Sequence, residues 1–250
     1  MPRDTCLCLA QRFLRHATLW ALLLCAAVMA PPAATAEQIT QRWSVHAFGI
    51  KVGELRVTMS ETAQNYSGKG IFETTGLAGV LKKIRFSIEG GGGLKGSDLL
   101  PRAYTGRINT GKRISETSLR RQGDRMVKTK GLQEPDVPIE PSALKGAFDP
   151  LSMMWLTLRD QTEETLCTVD QTQFDGTRLV RITLKTRRTS AEGVTCSGTY
   201  DRIGGYSAED LAELKTSPLS IVYQKQGNVW RAQEVHLTSR HGKAKVIRQE

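Results

Sequence analysis

Asp149-Pro-Leu-Ser-Met-Met-Trp-Leu-Thr-Leu-Arg-Asp160 decides how this 250-residue chain folds. Leu151, Met154, Trp155 and Leu158 fall at i, i+3, i+4 and i+7, which is one apolar stripe of a helix. Asp149 suits the N-cap and Pro150 the first turn. Nearly every other apolar run alternates with period two, the signature of strands. A lone helix with a sticky stripe therefore has only a sheet to bury it. The expected fold is mainly β: a single strongly curved antiparallel sheet, a half-barrel or open barrel, wrapped around the helix at 150–160. In that arrangement Trp155 reads as core.

Outward from the helix, the alternation is regular. Trp43, Val45 and Ala47 alternate with Ser44, His46 and Phe48, and a turn falls near Gly49. Leu55, Val57 and Met59 follow, then strands at 66–75 and at Ile84, Phe86 and Ile88, ending in Gly90-Gly-Gly-Gly93. Further strands are expected at 104–110, 114–121 and 125–130, each pairing with the next. Residues 131–141, with Pro135, Pro138 and Pro141, read as an extended exposed connection between two halves. After the helix come strands at 167–174, a turn at Asp175-Gly176, and strands around Val180-Ile182-Leu184 and 194–201. Ser207-Ala-Glu-Asp210 starts a short second helix, and three strands end the chain.

The first thirty-six residues give an address. A basic segment with Arg3, Arg12 and Arg15 precedes an apolar run at 17–30, then Pro31-Pro32 and the small residues of Ala34-Thr35-Ala36. That order is a secretory signal peptide, 1–36, cleaved after Ala36. The run is shorter than the roughly 20 residues of a membrane span. Leu24 before Cys25 is larger than a lipoprotein site prefers. What remains, 37–250, is expected as a single β-rich domain, periplasmic and not membrane-spanning after cleavage.

Removing the leader takes three basic residues and one acid, so the net charge falls from +10 to +8. Such a surplus draws anionic neighbours. In an exported protein these would be lipid headgroups or other anionic envelope surfaces rather than nucleic acid. Basic residues cluster at Arg178, Arg181, Lys185, Arg187 and Arg188, at Arg240, Lys243, Lys245 and Arg248, and at Lys112, Arg113, Arg120, Arg121 and Arg125. No aromatic residues interleave with them as base-stacking platforms.

Cys167 and Cys196 are the only cysteines beyond the leader. An even pair in an oxidising compartment reads as a disulfide rather than a reactive thiol. A zinc site needs about four ligands, and His46, His236 and His241 lie at no ligand spacing to either cysteine. No metal or cofactor is expected. The glycine run follows a strand and opens no helix, so it reads as a turn or bulge rather than a phosphate loop. No serine or cysteine sits in a nucleophile setting, so the sequence carries no positive sign of an enzyme.

Several residue groups together resemble a known family. Phe48-Gly-Ile-Lys-Val-Gly53, Thr75-Gly-Leu-Ala-Gly79 and Phe148-Asp-Pro-Leu-Ser152 are followed by Cys167 with Phe174-Asp-Gly176, and by Cys196 with Tyr200 and Gly204-Gly-Tyr206. In that order they resemble the exported bacterial family known as domain of unknown function 3108. The resemblance implies the Cys167–Cys196 pairing and no activity. A long meander with a helix across its open side also looks like the half-barrels of periplasmic lipoprotein carriers, which bind acyl chains between sheet and helix. That analogy implies a non-enzymatic periplasmic binding or carrier protein for an amphipathic, lipid-like ligand of the cell envelope. Its apolar lining would be Phe72, Leu77, Leu81, Phe86, Met154, Trp155 and Leu158. The alternatives are an interaction module docking an anionic envelope partner by a basic face, and a hydrolase of envelope polymers.

Overall fold

The computed structural model describes residues 36–249 except 82, 112, 113, 240 and 241. The expected leader, apart from Ala36, lies outside the described residues. Seven strands precede the helix: β1 (Glu37–Ala47), β2 (Ile50–Glu61), β3 (Asn65–Thr74), β4 (Arg85–Lys95), β5 (Asp98–Asn109), β6 (Ile114–Gln122) and β7 (Arg125–Lys130). Seven follow it: β8 (Val169–Phe174), β9 (Leu179–Leu184), β10 (Thr186–Ser190), β11 (Gly193–Gly204), β12 (Thr216–Gln226), β13 (Val229–Ser239) and β14 (Gly242–Gln249). The helices are α1 (Gly76–Leu81), α2 (Pro150–Leu158) and α3 (Ala208–Glu213), with a 3-10 turn at Pro141–Leu144.

All the strands belong to one antiparallel sheet, ordered β7-β6-β5-β4-β3-β2-β1-β14-β13-β12-β11-β9-β8, with β10 attached to β11. The two halves join through β1 and β14, the first and last strands, and not through the proline-rich connection. That connection does different work. Its continuation at 145–148 bridges the two free edges, Lys145 pairing with Arg125 of β7 and Phe148 with Gln173 of β8. Gly146 donates to the Asp124 carbonyl at 2.8 Å, and Phe148 to that of Thr172 at 2.9 Å. The sheet thus becomes a nearly closed barrel, and its edges are covered rather than left to pair with another chain. The expected mainly-β curved sheet around one central helix is what the chain forms.

The helix α2 lies inside. Leu151, Met153, Trp155 and Leu158 are buried, together with Trp43, Val57, Met59, Leu119, Met126 and Tyr223 of the sheet. A buried helix must satisfy its orphan end groups without water, and side chains of the sheet do so. At the N-terminus Asp149 Oδ1 accepts from the Ser152 amide at 3.0 Å and Oδ2 from the Ser152 hydroxyl at 2.6 Å. Tyr66 of β3 meets that hydroxyl at 2.6 Å. At the C-terminus Tyr223 donates to the Thr157 carbonyl at 2.8 Å and Gln41 to that of Leu158 at 3.0 Å. Ser207 caps α3 in the way its sequence suggests, accepting from the Asp210 amide.

Two local readings change. The strand expected to end in the glycine run continues through it, since β4 extends to Lys95 and a register shift falls between Gly91 and Gly92. Its bulge was foreseen; its continuation was not. On the inner face Gly90 leaves space for Leu151, whose Cδ2 lies 3.4 Å from where a Cβ would stand. The strand expected from 167 begins at Val169, and Cys167 sits before it at φ 57°. Cys167 and Cys196 form the disulfide, with Cα atoms 5.0 Å apart. The loop it closes, with a sequence separation of 29, is worth about 3–4 kcal/mol in the chain-entropy model. A disulfide fits an oxidising, exported setting, and no helix among the described residues is long and apolar enough to cross a membrane.

Candidate functional site: an apolar mouth at one end of the barrel

The inner face of the sheet is not evenly covered. Cross-strand rows nearest α2 are closed: Val57 and Met59 of β2 are fully buried, as are Gly70 of β3 and Ile88 of β4. Met154 of α2 reaches this level, its Cε 3.0 Å from where a Cβ on Gly70 would stand. Two residues further along each strand lies the row Leu55, Phe72, Phe86 and Ile108, paired in register across β2, β3, β4 and β5. Period-two alternation puts this row on the same inner face as Val57 and Gly70. Here burial fails: Leu55, Phe72 and Phe86 are half-buried, and Ile108 is 47% exposed. Phe72 and Phe86 stack with centroids 5.0 Å apart. The Phe72 ring lies across Gly53, where a Cβ would stand 2.5 Å from Phe72 Cε2, so glycine at 53 makes the room for it. Helix α1 lies against the ends of β2 and β3 at this level, and Thr75 donates to the Val52 carbonyl at 3.1 Å.

The seven lining residues named from sequence therefore divide. Phe72 and Phe86 stack in the half-open row, and Met154 lies at the level beneath it, beside Gly70. Trp155 and Leu158 do not lie in that row, being only 1% and 5% exposed within the packed core. Trp155 instead donates its indole N–H to Glu61. The side chains of Leu77 and Leu81 lie outside the described residues, although their backbone forms α1 beside the mouth. Leu55 and Ile108 were not named. Their alternation was visible, but which row the helix leaves uncovered depends on register, which no local pattern carries.

A second hollow, of about 930 Å³, lies on the opposite face. Its polar wall is one cross-strand row, His46, Lys245, His236, Ser220 and Ser197 of β1, β14, β13, β12 and β11, with Phe48, Pro218 and Ile247 around it. Its charges are largely satisfied among themselves. Glu234 accepts from His236 and Lys245, each at 2.9 Å. Burial pushes the Glu234 carboxyl up, but these partners outweigh it and hold its pKa below the ordinary value. His46 lies 3.0 Å from the Ser44 hydroxyl. That serine is buried, accepts from Gln249 at 2.9 Å and lies 3.4 Å from the Ile247 carbonyl, so it presents no nucleophile to the hollow.

The basic clusters do not merge into one bare cationic face. Arg181 and Lys185 both hold Asp170, whose pKa lies well below the usual range because of their hydrogen bonds. Arg187 pairs with Glu163, Arg178 with Asp136, and Arg248 lies 3.8 Å from Asp160. Lys112, Arg113 and Arg240 lie outside the described residues. Among the described residues no group of three or more His, Cys, Asp or Glu side chains is placed to hold a metal ion.

Set against known proteins, the chain matches no family model, no curated protein and no solved structure.

Proposed function

We propose that this is a non-enzymatic binding or carrier protein, working in the periplasm, for an amphipathic lipid-like component of the cell envelope. The observation that carries the reading is the inner row Leu55–Phe72–Phe86–Ile108, apolar and half-open where the rows beneath it are sealed by α2. Apolar surface left uncovered on the concave side of a sheet is a place for an apolar ligand. The hydrocarbon part of the ligand packs on the Phe72–Phe86 stack and Met154, and its polar head stays at the open end in water. The disulfide agrees with the exported setting of this reading.

Protein purified from its exporting host is expected to retain lipid detectable by mass spectrometry, and the delipidated protein to bind a fluorescent fatty acid. Replacing Phe72 and Phe86 together by serine removes two aromatic faces and is expected to weaken fatty-acid binding by about tenfold or more. Absence of both retained lipid and fatty-acid binding in the wild type would overturn the reading. So would unchanged binding by the double variant.

A further inference from the structure

The rim of the same end carries a second apolar feature, facing outward. β1 and β2 are joined by Phe48-Gly49, at φ 52° and 78°. A two-residue hairpin turn with both φ values positive prefers Asn or Gly at its first position, and a bulky residue there is a backbone outlier. The chain nevertheless places a phenylalanine in this turn and leaves it 77% exposed, with Ile50 beside it 66% exposed. Phe48, Ile50, Ile108 and Ile114 are among the exposed large apolar side chains at this end. Successive connections touch to make one rim. The Phe48 ring lies 2.7 Å from where a Cβ on Gly242 of the β13–β14 hairpin would stand. Thr75, leading into α1, bonds to Val52 of β2, and the Lys83 carbonyl is 3.5 Å from where a Cβ on Gly111 of the β5–β6 turn would stand.

The charge on this rim points to the partner. Lys83 and Lys243 are exposed and make no ion pair with a described residue, and the nearby acids Glu54 and Glu73 are already held by Lys51 and Arg85. Exposed aromatic and branched apolar side chains flanked by unpaired lysines match an anionic lipid surface, where rings enter the headgroup boundary and ammonium groups meet phosphates. The geometry points to the Phe48–Ile50 hairpin as a membrane-docking tip that sets the open end of the barrel against an anionic bilayer. This goes beyond ligand binding in the mouth and is tested separately.

Full-length mature protein is sedimented with vesicles of phosphatidylglycerol and phosphatidylcholine, or of phosphatidylcholine alone. Binding is expected to the anionic vesicles and to weaken as salt rises. Phe48→Gly relieves the turn while removing the ring, so its thermal midpoint is expected to stay level or rise while vesicle binding falls about tenfold. Ile50→Ser is expected to act in the same direction with the fold intact. Binding by Phe48→Gly equal to the wild type, or no binding to anionic vesicles, would overturn the inference. Self-association that Phe48→Gly abolishes, without vesicle binding, would place a second copy of the chain on the tip and overturn it too. A protein that binds vesicles but retains no lipid would keep this inference and lose the carrier reading.

Discussion

Two levels of the barrel interior, a few ångströms apart along the same strands, are built on opposite rules. At the level of α2 Leu151, Met153, Trp155 and Leu158 are enclosed, and both helix ends are hydrogen-bonded by the sheet through Tyr66, Gln41 and Tyr223. One row further on, Leu55, Phe72, Phe86 and Ile108 are just as apolar but only partly covered. The first level buries its apolar surface, and the second leaves part of it exposed. The helix α2 that closes the first level is only nine residues long.

The largest effect that contrast predicts is at the sealed level. Trp155→Ala deletes a side chain only 1% exposed and leaves Glu61 without its indole donor. It is expected to cost about 3–5 kcal/mol, read as a large drop in the urea midpoint. Phe72 and Phe86, only partly buried, should cost far less when shortened. If Trp155→Ala cost no more than a change in the mouth, the two levels would not differ as described.

A smaller effect tests how the mouth is shaped. Gly53→Ala places a Cβ 2.5 Å from Phe72 Cε2 and 2.6 Å from the Glu73 carbonyl oxygen. The ring can swing aside, but the backbone cannot, so a cost of about 1–3 kcal/mol is expected. Displacing Phe72 breaks its stack on Phe86, so fatty-acid affinity should fall as well. Lost stability with unchanged affinity would show that the stack is not part of the binding surface.

Much of this division was legible in the sequence, and its limits have physical causes. The stripe Leu151-Met154-Trp155-Leu158 and the cap Asp149-Pro150 identify the helix because capping and periodicity are local. Period-two alternation finds the strands for the same reason. It cannot find the β1–β14 pairing, which joins residues about two hundred apart, nor the edge-bridging segment 145–148. For the site, helical spacing puts Met154 and Trp155 on one stripe, yet Trp155 is sealed in the core while Met154, beside Gly70, is only partly buried. That distinction comes from how far the helix slides along the sheet, and no local pattern records it. Phe48 was read as the end of a strand. The signal that it is a turn residue was present as Phe-Gly, but it is hidden because Asn-Gly or Asp-Gly is the usual form.

The smallest effect concerns the group that anchors the plug and has no counterpart in the mouth. Asp149 is fully buried, and burial pushes its carboxyl pKa above the ordinary 3.8 despite the Ser152 hydrogen bonds that pull it down. Between the ordinary value and the raised one, the folded protein holds a proton that the unfolded chain has released. Stability from this group is therefore fully present at acid pH, falls as pH rises through that window and is constant above it. Asp149→Asn keeps a good N-cap oxygen for the Ser152 amide but removes the titration. The difference in urea midpoint between variant and wild type is expected to shift in the variant's favour from acid to neutral pH, and then to level off. A difference that does not change with pH would show that the Ser152 and Tyr66 hydroxyls hold the carboxylate well enough to cancel its burial. In that case the plug would be anchored by charge rather than in spite of it.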